Sequence, residues 1–285
     1  MATGFAKYHG LGNDFILLDN RDALAPHLSP EEAVRWCDRH FGIGADGVIF
    51  ALPGQAGSDY SMRIFNSDGS EPEMCGNGIR CLARFLAALE GLDETASVGK
   101  TYRIHTLAGS ITPQLAGNGR VAVDMGPPYL LPRQIPTTLA EPETRAIDCP
   151  LRVGDREYAV TCVSMGNPHC IIFVPDASAI ALEDVGPQIE HHPAFPQRTN
   201  VEFVEIVRPD YLKVRVWERG AGPTLACGTG ACATVVAGVL NGKCERTCTV
   251  ELPGGPLAIR WAEDGDGHAF MTGPAERVFA GKYEG

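Results

Sequence analysis

Positive charge is scarce in this chain of 285 residues: 24 Lys and Arg stand against 35 Asp and Glu, a net charge of −11. Such a field repels phosphate backbones and anionic membrane surfaces, so nucleic acid is not an expected partner. Long apolar runs are missing too. No stretch approaches the roughly 20 apolar residues that cross a bilayer, and Met1 to Gly10 lacks the basic-then-apolar order of a secretory signal, so a soluble, cytoplasmic protein is expected. The third absence concerns spacing. Ten cysteines are present but no Cys-x-x-Cys, the closest two being Cys244 and Cys248, which speaks against a zinc framework or a thioredoxin-like pair. A reducing cytosol also disfavours a disulfide scaffold, so Cys37, Cys81, Cys149, Cys162, Cys170, Cys232, Cys244 and Cys248 are expected to be small buried packing residues. His191-His192 has no neighbouring ligands at metal spacing and reads as surface.

With 44% hydrophobic residues the chain can bury a substantial core, and its length suits two domains. Short strands are expected at Phe5 to Tyr8 and Phe15 to Asp19, around the turn His9-Gly10-Leu11-Gly12-Asn13. Ser29-Pro30-Glu31-Glu32 carries an N-cap, a first-turn Pro and a capping-box Glu, predicting a helix that runs to Gly42. Strands follow at Gly47 to Leu52 and Met62 to Asn66. Past Cys75-Gly76-Asn77-Gly78, Ile79 to Glu90 predicts a helix stopped by Gly91, apolar on most of its circumference and therefore largely buried. Tyr102 to Leu115 and Arg120 to Met125 read as paired strands. A boundary is placed at the Gly126-Pro127-Pro128 interruption. Further strands are expected at Arg156 to Ser164, Cys170 to Val174, Val201 to Val207 and Leu212 to Glu218, with a helical or irregular connection from Leu182 to Pro196. Cys227-Gly228-Thr229-Gly230 then introduces a second apolar helix, Ala231 to Leu240, and strands close the chain.

The two Cys-Gly-x-Gly motifs belong to a longer repeat. A shift of 152 residues lays Arg63-Ile64-Phe65-Asn66 on Arg215-Val216-Trp217-Glu218 and Cys75-Gly76-Asn77-Gly78 on Cys227-Gly228-Thr229-Gly230. A shift of 154 lays Gly12-Asn13 on Gly166-Asn167 and Asp46 on Asn200. Two homologous halves are the economical explanation. The expected architecture is α+β: two pseudo-symmetric β-rich domains, 1–127 (with 273–285 returning to it) and 128–272, each a sheet around one buried helix, with the active site in a cleft between them.

A cysteine immediately before a helix sits where exposed N–H groups and the helix dipole favour a thiolate. The same N–H groups can hold a carboxylate. Two such elements offer a base on one side of a carbon and an acid on the other, which is what inverting a stereocentre requires. One sulfur must then be thiolate and the other thiol, so their settings must differ. Carbanion character beside an ionised carboxylate would be stabilised by the helix N-termini aimed at it. A thiol redox or metal-binding protein is the alternative from another class, and it would require Cys75 and Cys227 to pair or to bind metal.

Along essentially its whole length the chain resembles the diaminopimelate epimerase family. The resemblance is carried by His9-Gly10-Leu11-Gly12-Asn13-Asp14-Phe15, Arg63-Ile64-Phe65-Asn66-Ser67-Asp68-Gly69, Met74-Cys75-Gly76-Asn77-Gly78, Gly166-Asn167-Pro168-His169, Glu218-Arg219-Gly220-Ala221-Gly222 and Ala226-Cys227-Gly228-Thr229-Gly230. It implies interconversion of LL- and meso-2,6-diaminopimelate on the route to lysine, with no pyridoxal phosphate or metal, by a homodimer. It further implies that Cys75 and Cys227 are the acid/base pair, that His169 and Glu218 tune or orient the sulfurs, and that Asn13, Asn66, Asn167, Asn200, Glu218 and Arg219 contact substrate. Backbone donors at Gly76, Asn77, Gly228 and Thr229 would bind the reacting carboxylate. Two positions depart from the family: Gly47 replaces a Gln of some members, removing a side-chain contact, and Thr229 replaces a Ser, which leaves a backbone contact intact. Proline-type racemases and the phenazine-biosynthesis isomerases share the fold expectation, but the former fit the Gly166–His169 and Glu218–Gly220 segments less well and the latter lack the cysteine pair.

Overall fold

The computed structural model describes residues 2–263, 265 and 267–284. The chain forms two units, Met1–Asp124 with Thr272–Gly285, and Met125–Met271. The first contains β1 (Thr3–Gly10), β2 (Asn13–Asp19), α1 (Pro30–Cys37), β3 (Gly47–Pro53), β4 (Tyr60–Asn66), α2 (Gly76–Leu89), β5 (Ile104–Thr106), β6 (Gly109–Ile111), β7 (Gln114–Gly117) and β8 (Arg120–Asp124). The second contains β9 (Cys149–Val153), β10 (Arg156–Ser164), β11 (Pro168–Phe173), α3 (Leu182–Glu190), β12 (Asn200–Arg208), β13 (Tyr211–Glu218), β14 (Gly222–Thr224), α4 (Gly228–Leu240), β15 (Thr247–Leu252) and β16 (Gly255–Trp261). Within β17 (Ala269–Pro274) the chain leaves the second unit, and β18 (Glu276–Tyr283) belongs to the first.

In the first unit the strands run in the order β18-β1-β2-β3-β4-β5-β6, and in the second β9-β10-β11-β12-β13-β15-β16. Neighbouring strands in both follow the same sequence of pairings: antiparallel twice, then parallel, antiparallel, parallel, antiparallel. Parallel neighbours cannot be joined by a hairpin, and a helix lies between each such pair in sequence: α1 and α2 in one unit, α3 and α4 in the other. The duplication expected from the motifs is therefore carried by the topology of both sheets.

Each central strand is buried on both faces because a helix covers each side. One face of the first sheet, with Ile16, Leu18, Val48 and Phe50, packs on Ala33, Trp36 and Cys37 of α1. The opposite face packs on α2. In the second unit Cys170, Ile172, Val201 and Phe203 pack with Leu182 and Ile189 of α3, while α4 takes the other face. Helix α2 buries ten of its 14 residues, including Arg80, whose guanidinium bonds Gly76 O (3.2 Å), Asn77 Oδ1 (3.0 Å) and Pro274 O (3.3 Å).

Several element limits differ from expectation. Ser29 and Glu32 form the capping box, but α1 stops at Cys37 instead of Gly42, because Asp38 is extended and its carboxylate accepts from the amides of His40 and Phe41 to shape a turn. Tyr102 to Leu115 is not one strand: Thr106 Oγ1 binds Gly109 O and the Ala108 amide, breaking it into a tight hairpin. Both Cys-Gly-x-Gly helices begin three residues earlier than expected, at Gly76 and Gly228, with Cys75 and Cys227 as N-caps.

Candidate active site

In the first unit the hairpin between β1 and β2 turns on Leu11 (φ 58°) and Gly12 (φ 85°). Two successive left-handed residues match the twist of a two-residue hairpin and place Asn13 at the start of β2. Asn13 Oδ1 accepts from Asn77 Nδ2 at 3.0 Å and lies 3.9 Å from Cys75 Sγ, while its Nδ2 donates to Asp46 Oδ2 at 2.7 Å. Cys75 is extended (φ −136°, ψ 119°), and its sulfur accepts from the Gly78 amide at 3.4 Å. Expected residues Asn13, Cys75, Gly76 and Asn77 thus meet at one helix N-terminus. Asn66, at the end of β4, instead donates to Ser70 Oγ at 2.9 Å. Asp14 backs this cluster. Burial raises its pKa, but Arg39 and Lys7 outweigh that and hold it below the usual carboxylate value.

In the second unit the residues at one end of β11, β12 and β13 come together. His169 pairs with Asn200 across β11 and β12, and one step beyond the Val201–Trp217 pair Asn200 lies opposite Glu218. Residues opposite one another share a face. Asn200 spans the backbone, its Nδ2 donating to Pro168 O (2.7 Å) and its Oδ1 accepting from the Arg219 amide (2.9 Å). Arg219 donates through Nη1 to Gln197 O at 3.2 Å. His169 is fully buried: Nδ1 lies 2.6 Å from Glu202 Oε1 and Nε2 lies 3.0 Å from Asn167 Oδ1. Glu218 accepts from the Thr224 hydroxyl. Cys227 (φ −121°, ψ 107°) caps α4, with its sulfur 3.6 Å from Thr229 Oγ1.

The register corrects one equivalence. Gly47 pairs with Asn66, the counterpart of Glu218, so the counterpart of Asn200 is Gly47 and not Asp46. By the same register Phe15 corresponds to His169.

Electrostatics at α4 also differ from the simple expectation of a helix-stabilised thiolate. Burial raises the Cys227 thiol well above its ordinary value, the charges of Glu218 and Glu202 add to this, and the Thr229 hydroxyl and Gly230 amide only partly oppose it. Glu218 is itself raised, chiefly by burial and further by Glu202, against Thr224, His169 and Cys227. Cys227 therefore rests as a thiol. Among the packing cysteines, Cys37 and Cys81 are each pushed up to about 12 by burial, as inert core thiols should be.

Glu202 is the residue that sequence reasoning missed. Its signal was available: an acid inside the run Val201-Glu202-Phe203-Val204, in a strand apolar on both faces, has no solvent to point to.

A family model described as Diaminopimelate epimerase matches residues 5–131 and 161–278. A diaminopimelate epimerase of Nostoc punctiforme is 68% identical over 282 residues, covering 99% of this chain and 100% of the relative. Among solved structures, a Bacillus anthracis phenazine biosynthesis protein of the PhzF family superposes with TM-score 0.70 at 17% identity, covering 99% of each chain. A hydroxyproline epimerase from Agrobacterium vitis gives TM-score 0.71 at 12% identity, covering 99% of this chain and 91% of that one. At these identities the structural likeness is one of fold. The sequence match reaches further: the chain belongs to the diaminopimelate epimerase family, isomerases that interconvert LL- and meso-2,6-diaminopimelate on the route to lysine.

Proposed function

We propose that this epimerase works by two-base proton transfer, with Cys75 and Cys227 as the acid/base pair at one substrate carbon. The observation that carries the reading is the pair of equivalent N-caps: each cysteine opens the buried helix of its repeat, ahead of a Gly-x-Gly that brings backbone amides beside the sulfur. The first-turn amides of Gly76, Asn77, Gly228 and Thr229 would hold the carboxylate next to the reacting carbon and stabilise the charge that builds there. Cys227, resting as the thiol, is the proton donor for the substrate form that Cys75 deprotonates; reversing the reaction exchanges the roles. The family resemblance, and not the resting state of Cys227, assigns the LL form to Cys75.

His169 and Glu218 set the environment of the sulfurs, and Asn13, Asn66, Asn167, Asn200, Glu218 and Arg219 bind the polar ends of the substrate. A guanidinium suits the distal carboxylate because its planar fork can bond it twice. The chemistry asks for no pyridoxal phosphate or metal. We place the enzyme in the cytoplasm as a homodimer. The test follows LL-diaminopimelate in D₂O without added cofactor, measuring α-deuteration and formation of the meso isomer. Wild type should do both, and Cys75→Ala and Cys227→Ala neither. Turnover by either variant at the wild-type rate would refute the two-base assignment, and its failure in reduced wild type would redirect the search to proline and related substrates.

A further inference from the structure

The two units place different residues under their N-cap cysteines. In the first, a Cβ added to Gly78 would meet Ile49 Cδ1 at 2.9 Å; in the second, a Cβ on the equivalent Gly230 would meet Glu202 Oε1 at 2.6 Å and Cys227 Sγ at 3.2 Å. Register makes Ile49 the counterpart of Glu202, just as Phe15 is the counterpart of His169. An apolar Phe–Ile pair in one repeat is thus a hydrogen-bonded His–Glu pair in the other, on the same face of the same sheet. The fold does not need the polar version, since the first unit packs without it. Burying a carboxylate is also costly, and here only one oxygen is satisfied: Glu202 is fully buried, and Oε2 has no hydrogen-bond partner among the described residues. A costly substitution at one of two equivalent sites points to the chemistry of that site.

We infer that Glu202 is a positioning residue for the second acid/base site: its carboxylate fixes the proton on His169 Nδ1 and keeps negative charge beside Cys227, so that this sulfur enters the reaction protonated. The inference rests on the reading of Cys227 as an acid/base residue. With Nδ1–H bonded to Glu202 Oε1, the other ring nitrogen faces the Asn167 amide. The Asn167 amide orientation chooses between imidazolium, with Oδ1 accepting, and neutral imidazole, with Nδ2 donating, and in both Glu202 holds the Nδ1 proton. Glu202 Oε1 and the Cys227 sulfur flank the point a Gly230 Cβ would occupy, so glycine there is what admits the carboxylate. The titratable groups around Glu202 are His169 on β11 with Cys170 beside it, Glu218 on β13, and Cys227 at the head of α4. This asymmetry meets a requirement of two-base inversion, in which the two sulfurs must start in opposite protonation states.

The test compares wild type with Glu202→Gln, which keeps the shape and removes the charge. Expected are an unchanged thermal midpoint or a higher one, KM within about twofold, kcat lower by about tenfold or more, and an alkaline limb of kcat/KM moved to lower pH as Cys227 loses its proton more readily. A merely structural residue would leave that limb in place. Wild-type kcat with an unmoved limb overturns the inference. Should Glu202→Gln fail to fold, the His169 ring spectrum of wild type decides alone. Independently of substrate, ¹⁵N NMR of the His169 ring, assigned against His169→Gln, should show Nδ1 protonated, and an unprotonated Nδ1 also overturns it. Turnover by Cys75→Ala and Cys227→Ala is the control, so loss of the two-base reading registers there and not in the ring spectrum.

Discussion

Gly78 and Gly230 occupy the same place in α2 and α4, and substituting each by Ala gives two results from one chemical change. A methyl in a helix gains about 1 kcal/mol of propensity over glycine at either position. At Gly78 it would meet Ile49 Cδ1 (2.9 Å), Cys75 Cβ (3.3 Å) and Met62 Cε (3.3 Å). The first and last are ends of side chains that can turn, so the crowding costs about 1 kcal/mol and the net change is near zero. At Gly230 it would strike the Glu202 carboxylate at 2.6 Å. That oxygen cannot yield without giving up its 2.6 Å bond to His169, in a site where both side chains are fully buried. Overpacking of about 1–3 kcal/mol then adds to about 1–3 kcal/mol for a broken buried bond to a charged group. After the helix gain, Gly230→Ala should be less stable than wild type by about 1–5 kcal/mol, equal to a drop of at least about 2 °C in thermal midpoint. Turnover should fall by an order of magnitude or more, because Glu202, His169 and Cys227 are disturbed together. Thermal melts by circular dichroism and the deuterium assay supply both numbers. Equal midpoints and equal rates for Gly78→Ala and Gly230→Ala would show that Glu202 is not fixed as described.

Ser29→Ala removes half of the α1 capping box and should cost about 1 kcal/mol in urea unfolding, with turnover unaffected because the helix carries no site residue. Glu218→Gln should lower kcat by about 10² to 10⁴. Since the folded pKa of Glu218 is raised, its ionisation weakens the fold as pH rises from the ordinary carboxylate value to the raised one, so the variant's thermal midpoint should exceed that of wild type by a margin that widens over that interval and then holds. Asp14 has the opposite sign: its lowered pKa contributes stability above the ordinary carboxylate value that is lost as pH falls, so the penalty of Asp14→Asn should be present at pH 7 and fade toward pH 2 in urea titrations. Arg80→Leu leaves Asn77 Oδ1 and Pro274 O without the guanidinium and should destabilise by about 3 kcal/mol or more, measured by the same unfolding curves.

Local signals located most of what matters here. Ser29-Pro30-Glu31-Glu32 announced α1 because capping is a contact between neighbours, and Gly91 stopped α2 because a left-handed residue (φ 74°) is needed there. The far end of α1 was misplaced because Asp38 competes for backbone amides with a side chain, which apolar periodicity does not register. Strand β9 escaped notice: Cys149-Pro150 weakens the strand signal, and a proline is tolerated there because β9 lies at the end of its sheet. The repeat gave the two cysteines and their helices, but a constant shift could not align Asn200 with its partner, since the connections ahead of α1 and α3 (20–29 and 174–181), and the helices themselves, differ in length. Glu202 required the pairing register itself. Nothing near it in sequence says that it lies beside His169, 33 positions away.

The return of residues 272–285 to the first unit bears on how the molecule is made. As the chain leaves the ribosome, β1 to β6 emerge first, yet one flank of their sheet, the row of backbone groups along Thr3–His9 that pairs with β18, stays open until Glu276–Tyr283 has been synthesised. The second unit, by contrast, has every strand from β9 to β16 before β18 exists. The nascent protein therefore carries an unprotected strand edge through roughly half of its translation, and a premature stop after Pro274 would leave that edge exposed for pairing between chains.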